Sequence, residues 1–170
     1  MKLHDLLAGL SYSFMEGLDC PDYDSDITAL CFDNRKEIPF GAAFVCISGT
    51  KYDTHDFAEE ALKKGAACII AEREVFVTDF PTEKTETEAE APVVVIVNDT
   101  RRALSILAAN WFGNPARSMI TIGITGTKGK STTAGMIRNI LEEDGHKTGI
   151  IGTLGVGVGE RYLHTNNTTP

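Results

Sequence analysis

Residues 120–133 read ITIGITGTKGKSTT: an apolar, strand-like run leads into a glycine-bearing turn and then into a helix. Those residue types in that order suit phosphate binding. Gly126 and Gly129 let backbone N–H groups turn inward around phosphate oxygens, and the N-terminus of the following helix favours negative charge. Lys130 is placed to reach the β and γ phosphates of a nucleoside triphosphate and is the candidate catalytic residue. Ser131 supplies the hydroxyl expected on Mg²⁺, as the last position of G-x-x-x-x-G-K-[ST] does in phosphate loops generally. Thr132 and Thr133 add phosphate contacts, and Thr127 and Lys128 complete the candidate ATP-binding set. The general motif is matched in part, because Ile124 stands where its first glycine belongs and the extra glycine falls at Gly126. A glycine turn that merely opens a helix would need neither the Lys-Ser pair nor the two threonines.

The elements around this loop read as α/β. A strand over MITIGIT, a helix from about Lys130 to Asp144 stopped by Gly145, and a strand over TGIIGT follow from the apolar runs and the glycine. Upstream, AFVCIS (43–48) and AACIIA (66–71) read as buried strands flanking a helix over Thr54–Lys64. Thr54 is the expected N-cap of that helix and Gly65 its C′ residue. The order strand, helix, strand predicts a crossover unit with a parallel pair. Val93–Val97 is a run of β-branched residues, and Asp99 or Thr100 can cap the helix RRALSILAANWF that follows. That helix should end near Gly113, where Asn114-Pro115 marks a break and a domain boundary. Trp111 and Phe112 are expected in core or interdomain packing. The Glu- and Thr-rich stretch 82–92 suits a solvated surface excursion. Residues 114–170 hold too few elements to cover both faces of a parallel sheet, which predicts that they form only the first part of a domain.

Composition narrows the classes of function. The chain has 170 residues, 42% of them hydrophobic and 24% charged, and a formal net charge of -8. No apolar run approaches the roughly 18 residues that span a bilayer, so no membrane is expected as partner. The negative balance, with no offsetting Lys/Arg cluster, excludes nucleic acid as an expected partner. MKLHDLLAGLSYSF lacks the features of a secretory signal and reads as a short amphipathic helix, so a cytoplasmic location is expected. The four cysteines, Cys20, Cys31, Cys46 and Cys68, form no C-x-x-C pair and are expected to be reduced, structural thiols. His4, His146 and His164 have no metal-ligand spacing among themselves.

The string TGTKGKSTT resembles the T-G-T-N-G-K-T-T signature of the ATP-dependent Mur ligases and their relatives, with Lys128 in place of the usual Asn. Asp33-Asn34-Arg35 stands where those ligases commonly carry D-S-R. Gly49 to Phe57, GTKYDTHDF, stands where their N-terminal domain carries its uridine loop, G-x-x-x-D-G-H-x-F, with Thr54 replacing the second glycine. The resemblance implies a small N-terminal α/β uridine-nucleotide-binding domain over 1–113 and the start of a P-loop, Rossmann-like ATPase domain over 114–170. It further implies that Phe32 and Asn34 flank the uracil and ribose, and that Thr50, Lys51 and Tyr52 approach uracil or diphosphate. Taken without it, Lys51 and Arg35 read as ordinary surface charges and His55 as a helix-start residue.

The terminal TNNTTP resembles the N-T-T-P segment of the family branch that adds the third residue of the peptidoglycan stem peptide, so Asn167, Thr168 and Thr169 would contact the muramoyl-peptide substrate. By composition alone that stretch is a polar loop. The implied reaction passes the γ-phosphoryl of ATP to the carboxylate of UDP-N-acetylmuramoyl-L-alanyl-D-glutamate, making an acyl phosphate that the amine of L-lysine or meso-diaminopimelate attacks. The amino-acid site, a second metal site and the adenine contacts would lie beyond Pro170, so these 170 residues alone are expected to be inactive. Three alternatives remain: the sibling ligase that adds D-alanyl-D-alanine, a non-catalytic UDP-sugar-binding module, and a free-standing nucleotide switch. The last lacks an apolar run ending in Asp after the loop.

Overall fold

The computed structural model describes residues 1–15, 25–49, 52–76 and 93–164. The chain packs as two compact units, Met1–Met119 and Ile120–Pro170. In the first unit the elements run α1 (Leu3–Leu6), β1 (Tyr12–Phe14), β2 (Leu30–Cys31), β3 (Ala43–Val45), α2 (Ala58–Lys63), β4 (Cys68–Ala71), β5 (Val93–Val97) and α3 (Thr100–Trp111). They build one five-stranded sheet in the order β1-β5-β4-β3-β2. Strands β2 to β5 are mutually parallel, with Ala43 opposite Cys68 and Cys68 opposite Val93, while β1 adds an antiparallel edge on β5.

The apolar runs become strands because both sheet faces are covered. Ala43, Val45, Cys68, Ile70, Val93, Val95 and Val97 pack on one face with Leu3, Leu6, Leu7, Ala103 and Leu107 of the α1 and α3 regions. Phe44, Cys46, Ile69, Ala71 and Val94 pack on the other with Ala58, Ala61 and Leu62 of α2. Removing each large aliphatic or aromatic side chain from water contributes roughly 1.5–3 kcal/mol, and this burial on two faces selects the uninterrupted apolar pattern. Asn110 joins α3 to α1 by donating from Nδ2 to the carbonyls of Leu6 and Ala8, at 2.9 and 2.8 Å.

Several expectations hold in detail. The strand–helix–strand unit is parallel, Asp99 caps α3 by accepting from the Arg102 N–H at 2.9 Å, and Gly65 follows α2 at φ 103°. Others are corrected. The segment expected as a helix over the first 14 residues is a single turn, α1, followed by strand β1. Gly9, at φ 80°, separates the two, and the alternation of Tyr12 and Phe14 feeds the edge of the sheet. The helix expected from Thr54 opens with a 3-10 turn, Thr54–Phe57, whose N-cap is Asp53. Thr54 is unavailable for capping because its hydroxyl accepts from the Ile47 N–H at 2.6 Å and donates to the Ile47 carbonyl at 3.2 Å. Trp111 packs against the core, whereas Phe112 is 73% exposed and takes no part in it. The excursion 82–92 and Cys20 lie outside the described residues.

The second unit contains α4 (Lys130–Glu143) and three short strands, β6 (Gly149–Gly152), β7 (Gly155–Val158) and β8 (Arg161–Leu163). The strands form an antiparallel meander. Arg138 ties α4 to it by donating to the Gly159 carbonyl at 2.6 Å, and within the helix it pairs with Glu142 at 2.8 Å. The helix and its stop at Gly145, φ 84°, are as expected. The strand expected over MITIGIT is not formed: residues 120–126 have no assigned strand among the described residues. A parallel strand exists only where a neighbour receives its N–H and C=O groups, and among the described residues no strand lies beside this run: β6 is hydrogen-bonded to β7 alone. Among the described residues, no helix is long and apolar enough to cross a membrane.

Candidate functional site

The phosphate loop is fully described. Gly126 at φ 148° and Gly129 at φ 78° turn the chain through conformations that disfavour a side chain. Gly129 is the N-cap of α4 and carries no side-chain cap, so the first N–H groups of the helix keep their donor capacity for an external acceptor. The Lys130 ammonium arches back to donate to the Gly126 carbonyl at 2.6 Å, closing the loop from above. Gly126, Thr127, Lys128, Gly129, Lys130, Ser131 and Thr132 are all exposed. The loop therefore combines two glycines at positive φ, an open helix end and a cation over the turn, without the strand expected to lead into it.

Of the uridine-site candidates, the described ones, Phe32, Asn34 and Tyr52, lie on the segments that leave the carboxyl ends of parallel strands β2 and β3, the edge where open α/β sheets place ligands. After β2, Phe32 is 48% exposed. The carboxylate of Asp33 then grips Arg35 with bonds of 2.8 and 2.9 Å. Hydrogen bonding from that guanidinium holds the Asp33 carboxyl well down, to about 2, against a smaller opposing effect of burial. Asn34 lies in the turn between the pair. After β3, the Gly49 N–H donates to the Tyr52 carbonyl at 2.9 Å, and Ser48 and Asp53 form an antiparallel bridge. This loop presents Tyr52, 78% exposed, within electrostatic reach of Arg35. Two exposed aromatic rings, an amide and a fixed guanidinium suit a planar heterocycle carrying an anionic group. Thr50, Lys51, Asn167, Thr168 and Thr169 lie outside the described residues.

Beneath this loop sits a residue whose role sequence reading did not find. Asp53 accepts from the His55 N–H at 3.0 Å, meets His55 Nδ1 at 2.5 Å, and accepts from Arg73 at 2.9 Å. Burial pushes its carboxyl up, but the bonds from His55 and Arg73 together outweigh burial and hold it near 2. His55 is buried, and its Nε2 accepts from the Glu72 N–H at 3.0 Å, which fixes the ring as the Nδ1–H tautomer. The D-x-H spacing before a helix start was the available signal for the cap. Nearby Cys46 is pushed up to about 12 by burial and by the Asp53 charge, and burial raises Cys68 likewise to about 12. Both remain thiols at neutral pH.

The chain thus joins in sequence a mostly parallel α/β sheet and an open phosphate loop, the kind of helix N-terminus that suits nucleotide phosphates. Residues 36–112 match the description "Mur ligase family, catalytic domain" and residues 124–170 match "Mur ligase middle domain". Together the two matches take in most of the chain, and the chain belongs to the Mur ligase family. It is 41% identical over its whole length to a UDP-N-acetylmuramoyl-L-alanyl-D-glutamate--2,6-diaminopimelate ligase of Clostridium perfringens, spanning 32% of that protein. The like-named ligase of Geobacillus kaustophilus is 45% identical, again over the whole chain and 31% of the relative. A solved structure of a ligase of that name has the same fold, with TM-score 0.68 and 21% identity over 100% of this chain and 31% of the other. The chain thus spans about a third of the length of these relatives.

Proposed function

We propose that the chain is the N-terminal part of an ATP-dependent ligase that adds the third amino acid to UDP-N-acetylmuramoyl-L-alanyl-D-glutamate in peptidoglycan synthesis, acting in the cytoplasm. Residues 1–113 form the uridine-nucleotide-binding domain and residues 114–170 the first part of the ATP-binding domain. The observation that carries this reading is the open phosphate loop, with Lys130 closed over Gly126, downstream of a uridine-loop pattern on a parallel sheet edge. The names of the relatives favour 2,6-diaminopimelate as the added amino acid.

In this reading Phe32, Asn34, Thr50, Lys51 and Tyr52 hold the uridine diphosphate handle, and Asn167, Thr168 and Thr169 meet the muramoyl peptide. The distant handle orients the carboxylate that is to be phosphorylated, so binding energy is gathered far from the reacting atoms. Gly126 to Thr132 hold the ATP phosphates. Lys130 lies over the turn and stabilises charge on the transferring γ-phosphoryl, while backbone N–H groups at the start of α4 donate to its oxygens. The exposed Ser131 hydroxyl, a hard oxygen ligand in the first turn of α4, fits Mg²⁺ and would hold it, and the ion would supply neutralisation of phosphate charge. The substrate carboxylate attacks the γ-phosphorus and ADP leaves; the incoming amine then attacks the acyl carbon of the resulting acyl phosphate, the C–O bond to phosphorus-bound oxygen breaks, and inorganic phosphate and a proton depart to leave the amide.

Calorimetric titration with UDP-N-acetylmuramoyl-L-alanyl-D-glutamate, with UMP and UDP-N-acetylglucosamine as controls, tests the reading. Binding of all three with preference for the muramoyl dipeptide is expected. A folded first unit that binds none of them would overturn it.

A further inference from the structure

The loop that carries Tyr52 is closed from behind by a circuit of hydrogen bonds through three strand ends. Asp53 holds His55 at 2.5 Å, and His55 Nε2 accepts from the Glu72 N–H at 3.0 Å, just past β4. The Glu72 carboxylate accepts both the Thr100 N–H and the Thr100 hydroxyl, at 2.9 and 2.8 Å, at the start of α3. The next residue, Arg101, reaches back over 53 residues of sequence to donate to the Ser48 carbonyl at 3.0 Å. Ser48 in turn donates from its hydroxyl to Asp53 at 3.4 Å and bridges it through the backbone.

We propose that Arg101 is a positioning residue for uridine-nucleotide binding: it clamps the leading arm of the Ser48–Asp53 loop to α3 and so fixes Tyr52 in its binding position. The proposal rests on the uridine reading given above. The members of the circuit divide by burial. Thr100 is fully buried and His55 nearly so, so they also build the fold. Arg101 is exposed, and its bond joins two surface segments, so its loss frees the loop while leaving the core intact. A loop held in its bound shape before the ligand arrives spares the ordering cost of binding, and freeing it restores that cost.

The variants Arg101→Ala and Arg101→Lys test this through two readouts: amide hydrogen exchange at Gly49, whose N–H closes the loop on Tyr52, and calorimetric titration with UDP. In Arg101→Ala, exchange at Gly49 should quicken and the UDP dissociation constant rise, each about tenfold, with the thermal midpoint nearly unchanged. Arg101→Lys, which keeps a donor but not the planar fork, should recover part of both effects. The proposal is overturned if Arg101→Ala leaves either readout within about twofold of the wild type, or if affinity falls only in step with the thermal midpoint. A wild type that fails to bind UDP overturns the uridine reading and the positioning role with it, whereas Gly49 exchange still decides whether Arg101 clamps the loop.

Discussion

Asp53 is where local and distant demands meet in one carboxylate. It caps the turn at Thr54, orients the His55 ring and anchors Arg73, twenty residues further on. These contacts have a pH signature. The folded carboxyl lies near 2 against an ordinary 3.8, so its stabilising contribution is complete above about pH 4 and is lost as the pH falls toward 2. Urea denaturation at a series of pH values should show wild-type stability dropping through that window. Asp53→Asn should be less stable at neutral pH and show a shallower acid decline. An equally steep decline in the variant would mean that other carboxylates, such as Asp33, dominate. The cap was readable as a residue type before a helix; the Arg73 partnership was not, because nothing in the spacing relates the two positions.

At the scale of elements, helix ends were the most legible features. Asp99 before α3, Gly65 after α2 and Gly145 after α4 act within a few residues of themselves, so their identities suffice. Asp99→Ala removes the acceptor for the Arg102 N–H, and should cost about 1 kcal/mol in chemical denaturation without changing the sheet. The strand reading of residues 119–125 fared differently. An apolar run marks a segment able to form a buried strand, but a ladder also needs a partner on at least one side. In the second unit the glycine-rich turns after β6 and β7 complete a meander instead, and Ile120 and Ile122 are left 94% and 54% exposed.

Across the whole molecule the two units differ in what holds them. The first has two buried clusters, one on each face of its sheet. The second contributes no buried residue to α4 and leaves Met136, Ile140, Ile151 and Leu154 more than 60% exposed. Local stability follows burial and backbone protection. Hydrogen exchange by mass spectrometry should therefore show β3, β4 and β5 as the slowest segments, with α4 and β6 exchanging far sooner. Comparable protection in both units would contradict this ranking of their stabilities.

The sequence by itself determined the phosphate loop, the buried strands of the first unit, the parallel crossover between β3 and β4, and the helix stops. Each of these depends on contacts between near neighbours or on a periodicity carried by a short segment. Tertiary structure alone decided that Tyr12–Phe14 becomes an antiparallel edge, that the 119–125 run stays unpaired, and that Asp53, His55, Glu72, Thr100 and Arg101 close one circuit. Their free energy comes from partners 17 to 53 residues apart along most of that circuit, and a side chain's type states what bond it can make, not which distant chain segment will be folded against it.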